Sequence, residues 1–286
     1  MKNPLLEPKG LPVFNSIQAS HVNDAVQRTL EKMRSKLVKA ETSTTPSFQT
    51  AEEMERIQDS IHQVWGPISH LNSVISTPEL REAYNKCLPM ISEFGTELAQ
   101  SEKLWAMFSQ LEKDTDPSYT AKRQLISHTL RDFKLAGVGL PIESKNKFKE
   151  LVKTLAQYQA SFEQNLMDAT DAFKHHETVK AALVGIPYMM LSRAKELAEK
   201  EGKIGWLFTL DPPTYQAIMA HAENENLRSL YYKAWVTRAS DQGPQAGRWD
   251  NRVLIEKIVR LRHESALLLG FSNYAEFSLA TKMANS

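Results

Sequence analysis

Cysteine is almost missing from this sequence: Cys87 is the single one in 286 residues. That excludes an intramolecular disulfide and a thiolate metal cluster built within one chain, and it fits a reducing compartment. Excess charge is missing too. Thirty-five Lys and Arg face 34 Asp and Glu, so no positive field gathers nucleic acid or an anionic membrane, and neither is expected as a partner. No run of 18 apolar residues exists to cross a membrane. The opening Met1-Lys2-Asn3-Pro4-Leu5-Leu6 is broken by Glu7-Pro8-Lys9-Gly10 before a signal-peptide core can form. The expected location is the cytoplasm. Glycine is scarce as well, at 11 residues.

What is present is helical periodicity. With 42% hydrophobic and 24% charged residues, the chain has the composition of a globular protein of one or two domains. The clearest apolar series, at steps of 3 or 4, is Phe148, Leu151, Leu155, Tyr158, Phe162, Leu166, Ala169 and Phe173. Between Pro141 and Lys174 it marks one helix face, about 50 Å long at ~1.5 Å per residue. Met54, Ile57, Ile61, Val64, Ile68, Leu71 and Ile75 form another. Leu80, Tyr84, Leu88, Ile91, Phe94 and Leu98 form a third, which Pro89 either kinks or divides. His21 to Ala40 is amphipathic, and the Thr/Ser/Pro-rich stretch Glu41 to Thr50 reads as a loop. Gly137-Val138-Gly139-Leu140-Pro141 breaks a shorter helix from the long one. Long helices with short polar connections predict helical hairpins.

From Glu177 to Leu210 the character changes. Val179 to Ile186 and Trp206 to Leu210 are short β-branched or aromatic runs flanked by glycine, which predict at most a two-stranded ribbon. Pro187 to Gly202 between them reads as a helix. Asp211 is a strong N-cap signal, followed by Pro212 and Pro213 in the first turn, and Asn224 caps the next helix. Ser240 to Gly247 is a loop. Leu254, Ile255, Ile258, Leu261, Leu268 and Leu269 mark a last long helix before Gly270. The fold class is therefore mainly α.

Several blocks in this last third occur in a recognisable order: Leu183, Gly185, Ile186-Pro187; Trp206-Leu207-Phe208-Thr209-Leu210-Asp211-Pro212-Pro213-Thr214-Tyr215; Asn226-Leu227-Arg228; Tyr231-Tyr232-Lys233-Ala234-Trp235; Arg238-Ala239-Ser240; and Leu268-Leu269-Gly270-Phe271 through Ser278-Leu279-Ala280-Thr281-Lys282-Met283-Ala284. Together with Asn3-Pro4-Leu5-Leu6 and Leu11-Pro12-Val13-Phe14 they resemble the M3 zinc metallopeptidases, and most closely the bacterial oligopeptidase A branch. The resemblance covers essentially the whole chain and is weakest in the helical middle. It implies the N-terminal half of a two-domain, mostly helical peptidase with a deep channel that admits short, unstructured peptides. Residues 1–175 would be the N-terminal helical region and 176–286 the start of the M3 homology region. The family's zinc, on a His-Glu-x-x-His helix plus a later Glu, would lie beyond Ser286.

The two ligating His of that motif stand four apart on one helix face, with the Glu acting on metal-bound water. Both His-Glu pairs here depart from it. After His176-Glu177 the position of the second ligand holds Lys180; after His263-Glu264 it holds Leu267. Adjacent His175 and His176 point apart on any regular element, and His62 and His70 have no acidic third ligand nearby. Glu264, beside Arg260 and Arg262, reads as a charge network at a helix junction rather than a channel-wall group. Trp206, Tyr215, Tyr231, Tyr232 and Trp235 read as core rather than as a peptide platform. No catalytic, metal-ligating or substrate-binding residue is therefore assigned within this chain.

The expectation is a fragment inactive by itself that forms one channel wall of a zinc oligopeptidase, with short peptides as partners of the complete enzyme. A rival reading is a non-enzymatic helical protein that binds a peptide or a partner helix. Any dimer of the chain is expected to follow from apolar surfaces left uncovered.

Overall fold

The computed structural model describes residues 3–7, 10–42 and 47–284. Eleven α-helices run through them in the order α1 (Ala19–Glu41), α2 (Phe48–Val74), α3 (Pro78–Ala99), α4 (Glu102–Asp114), α5 (Thr120–Leu135), α6 (Ile142–Asp171), α7 (Tyr188–Lys200), α8 (Pro212–His221), α9 (Glu225–Val236), α10 (Arg252–Leu268) and α11 (Tyr274–Leu279). Two strands, β1 (Lys174–Glu177) and β2 (Trp206–Thr209), complete the chain. The mainly α class with a small ribbon is thus the observed one. Two compact units result, Met1–Gln157 with Arg260–Ser286 and Tyr158–Val259, the divisions falling within α6 and α10.

In the first unit α1 packs on α2 and α3, and α4 on α5. Each helix supplies a 3- and 4-spaced stripe: Val22, Val26, Leu30, Met33 and Leu37 from α1, Ile57, Val64, Ile68 and Leu71 from α2, Leu104, Phe108 and Leu111 from α4. Burying such a side chain contributes roughly 1.5–3 kcal/mol, which offsets the cost of ordering long helices. Serine and threonine start three of them. Ser47, Thr77 and Ser101 each accept the backbone N–H three residues on, satisfying a donor that the helix itself cannot.

Two sequence expectations are sharpened here. Pro89 does not divide its segment, because α3 is continuous through it, as α2 is through Pro67. The loop read at Glu41 to Thr50 is shorter, since Glu41 ends α1 and Phe48 already opens α2; residues 43–46 of it lie outside the described residues. The sequence places no helix at α4 or α11, although α11 falls within a block that carries the family resemblance.

The second unit is shorter-ranged in design. Strand β1 pairs antiparallel with β2, Lys174 opposite Thr209 and Glu177 opposite Trp206. The first strand of the ribbon is therefore not Val179 to Ile186, as expected. That run contains a turn of 3-10 helix at Lys180–Leu183. Its end is pinned at Gly185, whose φ is +89° and whose missing Cβ would stand 2.0 Å from the His221 carbonyl oxygen, while Glu223 N–H donates to Val184 O. A β-branched run cannot stay extended through that corner.

The apolar core of this unit gathers Phe173, Leu183, Ile186, Phe208, Leu210, Ile218, Leu227 and Tyr231. The capping expectations hold. Asp211 accepts from Thr214 N–H, and Asn224 from the amides of Asn226 and Leu227.

Candidate functional site

The polar residues singled out in sequence cluster chiefly in the second unit, around the ribbon and α9. On β1 His175 is half-buried; its Nε2 lies 3.9 Å from Glu177 Oε2 and has no hydrogen-bond partner among the described residues. Its ring meets that of Tyr231 edge-on at 6.2 Å. Burial pushes the His175 imidazole below its ordinary range, against the raising effect of Glu177, so it is neutral at pH 7. The next residue, His176, turns outward, as alternation on a strand demands, and its Nε2 pairs with Ile204 O at 2.7 Å.

Tyr231 is fully buried, and its hydroxyl has no hydrogen-bond partner among the described residues. Burial and the nearby Asp211 carboxylate push the phenol up, so it is a neutral structural group rather than a base. The Asp211 carboxyl is held below its ordinary value despite burial, by bonds from the Thr209 and Thr214 hydroxyls and the Thr214 amide, with Arg193 also favouring the charged form. It caps α8.

Tyr215 and Trp235 stack at 4.3 Å, and the Arg238 guanidinium lies 3.5 Å from the centre of the Trp235 ring while donating to Thr170 Oγ1. Trp206 is half-buried against the same core. Four of the five aromatics are core, as expected. Tyr232 is the exception, at 54% exposure. The rule that points adjacent residues apart on a regular element also separates Tyr231 from Tyr232 on α9, so spacing could have singled Tyr232 out.

The loop expected at Ser240 to Gly247 is present between α9 and α10, and its anchor is a residue the sequence did not single out. Asn251, 2% exposed, donates to Phe162 O and accepts from Asn165, while its amide donates to Ala239 O. Arg252 ties the loop further through Asp241 and Asp250.

In the first unit His62 and His70 are both exposed on α2, and His70 packs its ring on Phe14 at 5.3 Å. Arg260 and Glu264 pair at 3.5 Å along α10, and Arg262 lies over Tyr274, so a single ion pair and a ring contact stand where a charge network was expected. A cleft of about 340 Å³ opens between α2, α3, α4 and α5, walled by Phe94, Phe108 and Phe133. No sequence signal pointed to it; Gly95, in the last two turns of α3, is the residue of its wall that helix propensity would not choose.

These arrangements contain caps, stacked rings and ion pairs, but no nucleophile held by a base. Comparison with known proteins supplies what chemistry alone does not. Residues 26–145 match the family model Neurolysin/Thimet oligopeptidase, N-terminal domain, and residues 218–286 match Peptidase family M3. Over the whole chain, oligopeptidase A of Escherichia coli (strain K12) is 40% identical. The chain matches the N-terminal portion of an M3, oligopeptidase A-like protein.

Other oligopeptidase A proteins agree. Oligopeptidase A of Haemophilus influenzae is 39% identical over 100% of this chain and 42% of its own length. The probable cytosolic oligopeptidase A of Arabidopsis thaliana is 34% identical over 99% of this chain and 41% of its own. For the Escherichia coli protein the chain covers 43%, so it spans less than half the length of these relatives.

The N-terminal-domain match covers α1 to α5, and the M3 match runs from α8 through α11. M3 peptidases use zinc, and the residues present here do not fit one. His175 and His176 face opposite ways, His62 and His70 stand exposed two turns apart, and among the described residues no three His, Cys, Asp or Glu side chains gather as a metal site. No catalytic step is derived through zinc in this chain.

Proposed function

We propose that this chain is the non-catalytic N-terminal part of a zinc-dependent oligopeptidase of the cytoplasm, one that hydrolyses short unstructured peptides. The chain forms one wall of the substrate channel and is inactive alone. Residues 1–175 form the helical region and 176–286 the opening of the M3 homology region. The observation that carries the reading is 40% identity to oligopeptidase A along the full chain, together with two His-Glu pairs that both lack the second ligating His. The aromatic and capped core of the second unit then serves as scaffold, holding a wall rigid while groups elsewhere in the protein bind metal and attack the peptide.

The test is a protein that extends this chain to the length of its relatives. It should cleave a quenched fluorescent nonapeptide, lose that activity on dialysis against a chelator and regain it with zinc, and leave a folded protein of the same composition intact. Cleavage that survives metal removal would overturn the assignment.

A further inference from the structure

The cleft in the first unit has an oddity in its wall. Gly95 lies in the last two turns of α3 with ordinary helical backbone, and a Cβ built on it would meet nothing within 4 Å. Glycine there weakens the helix relative to alanine, and neither backbone conformation nor packing accounts for it. Gly66 in α2 has the same open surroundings but precedes Pro67, where the proline ring crowds a preceding Cβ. Gly95 is followed by Thr96 and has no such reason.

The surroundings supply one. On one side of Gly95 lies the 340 Å³ cleft walled by Phe94, Phe108 and Phe133, at the small end of the roughly 300–1,000 Å³ typical of ligand sites. On the other side a shallower apolar depression of 470 Å³ runs past Ala99 to Phe148 and Val152. The two share Gly95, Ala99 and Asp132. The result is a groove with two apolar hollows and a low saddle between them, where a backbone can lie close to α3.

Its charge is one-sided. Glu55 and Asp132 line the deeper hollow with His62, and no lysine or arginine lines either hollow. Arg131 already pairs with Asp132, which leaves Glu55 as the carboxylate open to a cation.

We propose that this groove binds the free N-terminus of a short extended peptide carrying two apolar side chains on alternate residues. The first side chain enters the phenylalanine-walled hollow, the ammonium faces Glu55, the backbone crosses the saddle at Gly95, and the third residue's side chain fills the depression at Phe148. Alternate residues of an extended chain point the same way about 7 Å apart, which suits two hollows joined by a saddle. The proposal draws its peptide class from the function above, yet needs no hydrolysis.

The probe is the tripeptide amide Phe-Ala-Leu, titrated into this chain and followed by backbone amide shifts in NMR. Shifts should centre on Gly95, Ala99 and Phe133. Acetylating the peptide's N-terminus, or Glu55→Gln in the protein, should weaken binding about two- to fivefold, the range of an exposed ion pair. Gly95→Leu should abolish binding, while Gly95→Ala keeps the fold and confirms that the loss comes from bulk. Absent shifts, shifts elsewhere, unaltered binding by the acetylated peptide or by Gly95→Leu, or occlusion of the groove by a second copy of the chain in solution would each overturn the proposal. Failure of zinc-dependent cleavage in the extended protein, with these shifts intact, would instead overturn the enzyme assignment alone.

Discussion

The two units reach stability by different routes. The first relies on long helices whose 3- and 4-spaced faces bury many interchangeable aliphatic contacts, with α1 central to α2 and α3. The second is assembled from short elements, and individual groups fix its geometry: Gly185 against the His221 carbonyl, Asp211 at the start of α8, Asn251 under the loop before α10. A distributed core tolerates the loss of any one helix-surface detail, whereas a corner made by one glycine or one carboxylate does not.

The sharpest way to break that contrast is Gly185→Ala. A methyl group at positive φ, 2.0 Å from a carbonyl oxygen, should cost about 3–5 kcal/mol in denaturant unfolding. A loss under ~1 kcal/mol would mean the corner relaxes freely. Next in size, Asp211→Ala removes a cap that serves Thr209 and Thr214, and should cost about 1–2 kcal/mol.

The same carboxylate gives a pH signature. Its folded pKa lies below the ordinary 3.8, so its contribution is complete above the unfolded value and is lost as pH falls through the folded one. Comparing wild type with Asp211→Ala by thermal unfolding from pH 6 down to pH 2, the difference should shrink only below about pH 4. A difference that shrinks instead between pH 5 and 7 would contradict the assignment.

Two smaller effects sharpen the comparison. Tyr231→Phe removes a buried hydroxyl without a partner among the described residues and should leave stability unchanged or raise it by up to about 1 kcal/mol; a clear loss would reveal a bond that matters. In the first unit Gly95→Ala should add about 0.5–1 kcal/mol through helix propensity. Helical periodicity governs that unit only if the gain appears.

This division also explains what could be read from sequence. Periodicity marked α1, α2, α3 and α6 because their apolar stripes run for several turns, buried in the first three and partly buried along the middle of α6, and chemistry marked the starts of α8 and α9 because Asp211-Pro212-Pro213 and Asn224 act within one turn. The ribbon's first strand escaped, since Lys174-His175-His176-Glu177 has no β-branched residue and is extended only because β2 lies beside it. The apolar run at Val179 looked more strand-like and is not a strand. Pro89 left a choice open because a helix interrupted at one amide is held together by packing that a single segment does not reveal. The groove at Gly95 was not legible for a simpler reason. It is made where the five helices α2 to α6 meet, and only the glycine among its parts is unusual in sequence.

The proposal that this chain is part of a zinc peptidase whose reacting groups lie elsewhere in the protein is tested most directly by incubating it with zinc and a quenched fluorescent nonapeptide beside a protein extended to its relatives' length. The account predicts no cleavage by this chain at any zinc concentration and chelator-sensitive cleavage by the longer one. Zinc-dependent cleavage by this chain alone would contradict it.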